Sequence, residues 1–175
     1  MTAPTFFTIG HSTRSLNEFV ALLAMWQIEL LVDVRTASRS RRNPQFNSEV
    51  LAHELPPLCV DYMPLPELGG WRKPRADSLN TGWRVASFRG YADYMQTAEF
   101  DDALARLTAL GEKQRLAYMC AEAVPWRCHR SLISDALVAR GHEVRNIMTP
   151  TRADEHHLAS FAKIEGTRIT YPGVS

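Results

Sequence analysis

The chain has 175 residues and a net charge of +1, with 45% hydrophobic and 22% charged residues. These values are typical of a soluble globular protein and predict one domain spanning residues 1–175. A near-neutral balance argues against strong general affinity for nucleic acid, and no apolar run approaches the ~20 residues of a membrane helix. Three cysteines are too few for a disulfide scaffold, and no secretory leader is visible. We therefore expect a cytoplasmic protein without a membrane partner.

Strands and helices alternate along the first third of the chain. Residues 5–9 are rich in β-formers and end at Gly10, which predicts a first strand. Ser15 followed by Glu18 is a capping box, so an amphipathic helix should begin there. Residues 29–35 contain a continuous apolar run, as in a parallel strand covered on both faces. The next predicted elements are a polar loop at 36–46, a short helix near 47–55 and a strand at 58–63.

The second half of the chain continues this alternation after a long irregular segment. Residues 64–87 are rich in proline and glycine and predict a loop, which at this length is usually functional or mobile. The later predicted elements are helices near 88–96 and 98–111, a strand at 115–120, a helix at 128–140 closed by Gly141, and a strand at 142–148. Residues 149–175 predict at most one short strand or turn.

The alternation predicts a three-layer, mostly parallel, Rossmann-like α/β sheet of about five strands. Right-handed crossovers favour the strand order 3-2-1-4-5, with a reversal of chain direction between strands 1 and 4. Ligands of open α/β sheets bind at such a reversal, beyond the carboxyl ends of the strands. Three polar segments follow predicted strands and should meet at this edge, namely GHSTR (10–14), DVR (33–35) and CAEAVPWRCHR (120–130).

The same segments resemble a known family. The stretches that carry the resemblance are FTIGHSTRSLNEFVALL, LVDVRTASRSRRNPQF, LPELGGWR, FRGYADYM and YMCAEAVPWRCHRSLISDAL. Together they are similar to the DUF488 family of prokaryotic proteins over most of residues 6–148, and the order of GHS, DVR, CAE, Pro125 and CHR is specific. The resemblance implies a single small α/β domain with a cleft at these motifs. It implies no particular reaction, substrate or cofactor, so the cofactor stays unknown.

Arg130 is the first candidate for binding an anion. It lies in the first turn of a predicted helix, where the dipole and spare backbone N–H groups favour negative charge over a cation. A phosphate or carboxylate bound by Arg130 and His129 would resolve this mismatch. Alternatively, Arg130 pairs with the carboxylate of Asp33 or Glu122.

Two further arginines should converge on the same edge. Arg14 lies just before the capped helix, and Arg35 follows the second strand. Their guanidinium groups suit phosphate or carboxylate, which they grip with two parallel hydrogen bonds. The alternatives are a solvated Arg14 and a structural pair between Asp33 and Arg35.

The edge also holds candidate catalytic groups. His11 ends the first strand and suits a general acid or base, or a histidine satisfied by backbone partners. Glu122 suits a general base, or the counter-ion of His129 or of the neighbouring arginine. Cys128, near cations at a helix start, has the surroundings that lower a thiol pKa and permit nucleophilic catalysis. Cys120 ends an apolar strand and is predicted to be a small buried hydrophobic residue.

Metal-ligating residue types occur in this segment as well. However, the spacing Cys-x7-Cys-His is not that of a zinc finger or ribbon, in which cysteines are two to four residues apart. The adjacent His156 and His157 rarely ligate one ion together, so we predict no metal site.

Basic side chains concentrate in two loops, the second of which contains tryptophans. Cations beside aromatic rings suit a nucleotide or single-stranded nucleic acid, whereas a charge run is more often a solvated loop. The residues that could contact nucleic acid are Arg35, Arg39, Arg41, Arg42, Arg72, Lys73 and Arg75.

Two functional hypotheses follow. The first is an enzyme that acts on a phosphate-bearing small molecule or nucleotide, with arginines for binding and His11, Glu122 or Cys128 for chemistry. The second is a non-catalytic module that binds a nucleotide or nucleic acid in the same cleft. The concentration of thiol, imidazole and carboxylate at one edge favours the enzyme.

Overall fold

A six-stranded sheet is the centre of the computed structural model, which describes residues 3–173. Its strands are β1 (Thr5–Gly10), β2 (Leu30–Asp33), β3 (Asp61–Pro64), β4 (Leu116–Cys120), β5 (Glu143–Thr149) and β6 (Arg152–Glu155). They lie in the order β3-β2-β4-β1-β5-β6, and only the β5–β6 pair is antiparallel. The predicted mostly parallel α/β fold is therefore confirmed.

The predicted strand order is wrong because β1 and β4 exchange places. β4 lies between β2 and β1, so that Ala117 pairs with both Leu31 and Phe7. Both orders place β1 and β4 side by side at the buried centre of the sheet, so hydrophobic patterning could not distinguish them. The observed order sets the loop after β4 between the loops after β1 and β2.

Helices cover both faces of the sheet. Within the described residues they are α1 (Leu16–Met25), α2 (Ser48–Glu54), α3 (Ala86–Tyr94), α4 (Ala98–Lys113) and α5 (Arg130–Ala139). Phe7 and Met119 pack with α1 and α2, whereas Phe6 and Tyr118 pack with α3, α4 and α5. Alternate residues of β1 and β4 thus point to opposite faces, which we call the α1/α2 face and the α3–α5 face.

The helix ends follow from local sequence. Ser15 caps α1 as predicted, because its hydroxyl accepts from the backbone N–H of Glu18 at 3.1 Å and donates to the Glu18 carboxylate. Gly141 follows α5 with a φ of +88°, which glycine tolerates best. α5 begins at Arg130, later than predicted, because Pro125–Arg127 form a 3₁₀ turn and Cys128 is extended.

Two regions differ from the sequence-based expectation. The C-terminal segment forms β6 and a separate antiparallel hairpin of β7 (Lys163–Glu165) and β8 (Arg168–Thr170). The predicted loop at 64–87 contains a 3₁₀ turn at Pro66–Leu68, and Asp93 of α3 accepts hydrogen bonds from Ser78 and Asn80 within it. None of the described helices is long and apolar enough to cross a bilayer.

Candidate functional site at the carboxyl edge of the sheet

A cavity of about 510 Å³ lies beyond the carboxyl ends of the central strands. Its walls come from the segments that follow β2 and β4, from the turn at Gly70 and Trp71, and from the start of α3. Among the predicted site residues, those that line it are Arg35, Glu122, Cys128 and His129. Cys120 and Arg127 also line it, although neither was predicted as a site residue, and so does Trp71, one of the tryptophans of the second basic loop.

Asp33 and Arg35 form a buried ion pair on the α1/α2 face. Arg35 donates from Nε to one carboxylate oxygen of Asp33 at 2.8 Å and from Nη2 to the other at 2.6 Å. The same Nη2 donates to the carbonyl of Phe46, and the Tyr62 hydroxyl donates to Asp33 at 2.6 Å. Arg35 is therefore fully engaged as a structural group in the cavity wall.

His11 lies behind this pair and is 1% exposed. Burial, and then the charge of Arg35, lowers the pKa of His11 to about 4, so the ring is neutral near pH 7. Its Nδ1–H donates to the carbonyl of Ser12 at 2.8 Å, which leaves Nε2 to accept from Arg35 Nη1 at 3.4 Å. The ring also stacks on Phe46 with centroids 4.4 Å apart. His11 thus supports Arg35 rather than lining the cavity.

Arg130 is a second buried arginine, on the α3–α5 face, and is 1% exposed. It donates from Nε to Cys120 Sγ at 2.9 Å, from Nη1 to the Thr8 hydroxyl at 2.8 Å, and from Nη2 to the Glu122 carbonyl at 2.8 Å. No carboxylate of residues 3–173 forms an ion pair with it, and the Glu122 contact uses the backbone oxygen. Its guanidinium therefore ties β1 and the loop after β4 to α5.

Gly10 permits this close packing. A Cβ atom at Gly10 would lie 1.6 Å from the Glu122 carbonyl oxygen and 2.9 Å from Arg130 Nη2. The backbone N–H groups of His11 and Ser12 donate to the carbonyls of Cys120 and Ala121, both at 2.9 Å. The GHS segment is thus hydrogen-bonded along the start of the CAE segment, as the predicted convergence requires.

Cys120 and Cys128 are both free, buried thiols in the cavity wall. Cys128 Sγ accepts from the backbone N–H of Arg130 at 3.4 Å and lies beside Cys120. Burial alone would raise the pKa of Cys120, but Cys128 and Arg130 together lower it from an ordinary 9.0 to about 7. Burial, and then the neighbouring Cys120, raises the pKa of Cys128. The more acidic thiol is therefore Cys120, which sequence reasoning treated as a hydrophobic residue.

The imidazole ring of His129 contacts the Cys128 thiol. Its Nε2–H donates to the carbonyl of Val34 at 2.8 Å, and its Nδ1 lies 3.4 Å from Cys128 Sγ. Burial lowers the pKa of His129 to about 4, so Nδ1 is unprotonated at neutral pH and can accept the thiol proton. A Cβ atom at Gly70 would lie 2.5 Å from Nδ1, so glycine provides room for the ring.

The family comparison agrees with these motifs. A family model described as "Domain of unknown function DUF488" matches residues 15–137. The chain belongs to the DUF488 family. The matched residues include the loops after β2 and β4 that build the cavity, so the resemblance predicted from the sequence is confirmed. Comparison with curated proteins and with solved structures gives no match.

The remaining predicted site residues of this DUF488 protein occupy different positions around the cavity. Glu122 has an exposed side chain in the wall. Arg14 is partly buried and donates to the carbonyls of Gly10 and Met148, which directs it along β1 rather than into the cavity. Arg127 was missed, and its proximity to the cavity depends on the 3₁₀ turn that delays the start of α5.

Some of the arginines in the basic loops form surface ion pairs or a cation–π contact, and all but Arg35 and Arg72 are exposed. Arg39 pairs with Glu49, and Arg75 pairs with Asp77. Arg72 lies 3.6 Å over the ring of Tyr94 in a cation–π contact. The side chains of Arg41, Arg42 and Lys73 are exposed. Of the seven predicted nucleic-acid contacts, only Arg35 and Arg39 line the cavity.

The described part of the chain also lacks the arrangement of side chains that a metal site needs. Across residues 3–173, no group of three or more His, Cys, Asp or Glu side chains is placed to hold a metal ion.

Proposed function

We propose that this DUF488 protein is an enzyme that acts on a phosphate-bearing small molecule or nucleotide in the carboxyl-edge cavity. The observation that supports the proposal is that one cavity combines the cations Arg39 and Arg127, the indole of Trp71 and the chemically competent Glu122 and Cys128. A volume of about 510 Å³ also lies within the range usual for small-molecule sites.

Binding would depend on the exposed cations and the exposed indole. Arg39 and Arg127 are exposed, so their guanidinium groups can reach a phosphate and grip it with two hydrogen bonds. Trp71 is 76% exposed and offers a face on which a planar ring can stack. This combination suits a nucleotide, which carries both an anionic phosphate and a planar base.

Chemistry would depend on the loop after β4. Glu122 presents an exposed carboxylate that can take a proton from a bound water or hydroxyl group. Cys128 can act as a nucleophile because its thiol faces the unprotonated Nδ1 of His129. The buried His11 and Arg130 do not contact the substrate in this proposal. They position the loops whose side chains contact it.

A non-catalytic nucleotide- or nucleic-acid-binding module is the alternative. The exposed side chains of Arg41, Arg42 and Lys73 favour it, because they extend the positive surface beyond the cavity. An enzyme for a small molecule does not require these three residues, whereas a polymer-binding surface would use them.

Calorimetric titration with inorganic phosphate and a panel of nucleotides tests the binding step. Arg127→Ala and Arg39→Ala should each weaken binding roughly tenfold, since each removes a charge-assisted hydrogen bond. Arg168→Ala is the matched control, because it removes one positive charge from an exposed site on β8 outside the cavity. Equal affinity for wild type and Arg127→Ala, or equal losses in all three variants, contradicts a phosphate site here.

Mass spectrometry of the incubated nucleotides separates the two functions. Turnover that is lost in Glu122→Gln or Cys128→Ser, with binding retained, supports the enzyme. Binding without product that is lost in an Arg41→Ala/Arg42→Ala double variant supports the module.

A further inference from the structure

Two buried thiols share one arginine beside the cavity. Cys120 and Cys128 are 3% and 5% exposed, and both line the cavity. Cys120 Sγ accepts from Arg130 Nε at 2.9 Å, and Cys128 Sγ accepts from the backbone N–H of the same residue at 3.4 Å. The two thiols also interact directly with each other, so their sulfur atoms are neighbours in the wall of one cavity.

Arg130 needs a negative partner. A guanidinium stays protonated in proteins, and a buried charge is strongly unfavourable unless it is compensated. Two of its acceptors, the Thr8 hydroxyl and the Glu122 carbonyl, are neutral. Among residues 3–173 no carboxylate pairs with it, so the Cys120 thiol is the contacting group that can supply the charge, by losing its proton.

We infer that Cys120 and Cys128 form a peroxide-reactive dithiol, in which Cys120 attacks as a thiolate and Cys128 then closes a disulfide. This activity is separate from the proposed phosphate chemistry and does not depend on it. A peroxide is small and neutral enough to reach a sulfur that is 3% exposed. Three of the five N–H groups of the Arg130 guanidinium donate to protein acceptors, and the residue is 1% exposed, so an anionic substrate cannot reach it as it would an exposed arginine.

The first step oxidises one sulfur atom. The Cys120 thiolate attacks an oxygen of the peroxide, an S–O bond forms, and the O–O bond breaks. The sulfur loses two electrons and becomes a sulfenic acid, while the departing hydroxide or alkoxide takes a proton from water. A thiolate stabilised by an arginine is the form of cysteine most susceptible to this oxidation, and Cys120 lies in the wall of a cavity that a small peroxide can enter.

The second step consumes the sulfenic acid. The Cys128 sulfur attacks the Cys120 sulfur, an S–S bond forms, and the S–O bond breaks. The Cys128 proton leaves through His129 Nδ1, 3.4 Å away, and joins the departing hydroxide as water. Two equivalents of an external thiol then reduce the disulfide and are themselves joined as a disulfide, which restores the starting protein.

The ionisable groups around the sulfur atoms favour this order of events. They are Arg130 from α5, His129 from the preceding turn, Tyr91 from α3, Tyr118 from β4 and Glu122 from the following loop. Burial raises the pKa of both tyrosines and lowers that of His129, so these three are neutral near pH 7. The Glu122 carboxylate is exposed to water, which leaves Arg130 as the buried charge.

Oxidation of the reduced full-length protein with one equivalent of hydrogen peroxide tests the inference. We expect the intact mass to fall by about 2 Da, free thiols to fall from three to one, and a peptide map to link Cys120 with Cys128. At pH 7 about half of Cys120 is thiolate, against roughly 3% of a free cysteine, so the protein should react about tenfold faster than N-acetylcysteine. A rate no higher than that of N-acetylcysteine, or first oxidation at the exposed Cys59, overturns the inference.

Single-cysteine variants assign the two roles, with circular dichroism to establish that each is folded. Cys128→Ser should gain about 16 Da at Cys120 and be trapped there by dimedone, whereas Cys120→Ser should lose the fast reaction although Cys128 remains. Cys59→Ser is the matched control and should react like wild type. Trapping at Cys128 instead reverses the assigned roles and contradicts the proposal. Nucleotide titration of Cys120→Ser tests phosphate binding independently, so either proposal can fail without the other.

Discussion

Two buried arginines lie on opposite faces of one sheet edge, and they are neutralised in different ways. Arg35 on the α1/α2 face forms two hydrogen bonds with the carboxylate of Asp33, a buried ion pair. Arg130 on the α3–α5 face contacts a thiol, a hydroxyl and a carbonyl. The first arginine is complete as a structural unit. The second is neutralised only when Cys120 loses a proton, so its stability and its reactivity are linked.

Breaking the Asp33–Arg35 pair should have the largest effect on stability. Asp33→Asn leaves Arg35 buried without a counter-charge, which typically costs about 3–5 kcal/mol in the free energy of unfolding. Urea denaturation at pH 7 measures this loss. Asp154→Asn is the control, because it removes a carboxylate paired with an arginine at an exposed site and should change stability little. Similar values for the two variants would show that burial of the pair contributes nothing.

Acid should lower the stability of the fold through the two buried histidines at this edge of the sheet, His11 and His129. Burial lowers the pKa of His11 and of His129 from 6.5 to about 4. The unfolded chain therefore binds these protons first as the pH falls, and folding stability decreases between pH 6.5 and pH 4. For His11 the loss should be roughly 3 kcal/mol, since each pKa unit corresponds to about 1.4 kcal/mol.

The slope of unfolding free energy against pH isolates this contribution from other effects of substitution. His11→Gln and His129→Gln should each flatten the slope between pH 6.5 and 4, whatever their stability at pH 7. His53→Gln is the control, because His53 has an exposed side chain on α2. A slope unchanged in His11→Gln would mean that folding does not lower the pKa of His11.

Much of this edge could be predicted from the sequence because local rules determine it. The capping box at Ser15 and the strand run before Asp33 depend on neighbouring residues, and the two-residue spacing of Asp33 and Arg35 already suggested their pair. Convergence of the three polar loops followed from parallel strands alone. The strand order did not follow from the sequence, because it depends on whether the crossover from β1 to β2 leaves a position between them for β4.

The role of Cys120 shows what local rules miss. It ends an apolar strand, and a cysteine there is usually a small hydrophobic residue. Strand alternation was the available signal, since Cys120 shares the face of Tyr118, which packs against α5. What the sequence could not supply was the direction of Arg130, which turns inward to the sheet and not outward to an anion.

Removal of Arg130 should cost less than loss of Asp33. Arg130→Met removes three hydrogen bonds but leaves no uncompensated charge, because Cys120 can regain its proton. We expect a loss of about 2–3 kcal/mol in urea denaturation and much slower alkylation of Cys120 at pH 7. Arg130→Lys keeps the charge but cannot reach three acceptors in a plane, so it should restore reactivity more than stability. Fast alkylation of Cys120 in Arg130→Met would show that the reactivity of this thiol does not depend on the guanidinium.

The smallest expected effect appears above neutral pH and distinguishes the two arginines most directly. The pKa of Cys120 is about 7 in the folded protein against an ordinary 9.0, so the thiolate stabilises the fold above pH 9 and this contribution is lost as the pH falls through 7. Between pH 7 and pH 9, the free energy of unfolding of wild type should therefore rise by roughly 1–3 kcal/mol relative to that of Cys120→Ser. The pH dependence of the unfolding free energy of Cys59→Ser should run parallel to that of wild type over the same range. Parallel curves of unfolding free energy against pH for Cys120→Ser and wild type would mean that no Cys120 thiolate neutralises Arg130. The two arginines would then differ only in the geometry of their hydrogen bonds.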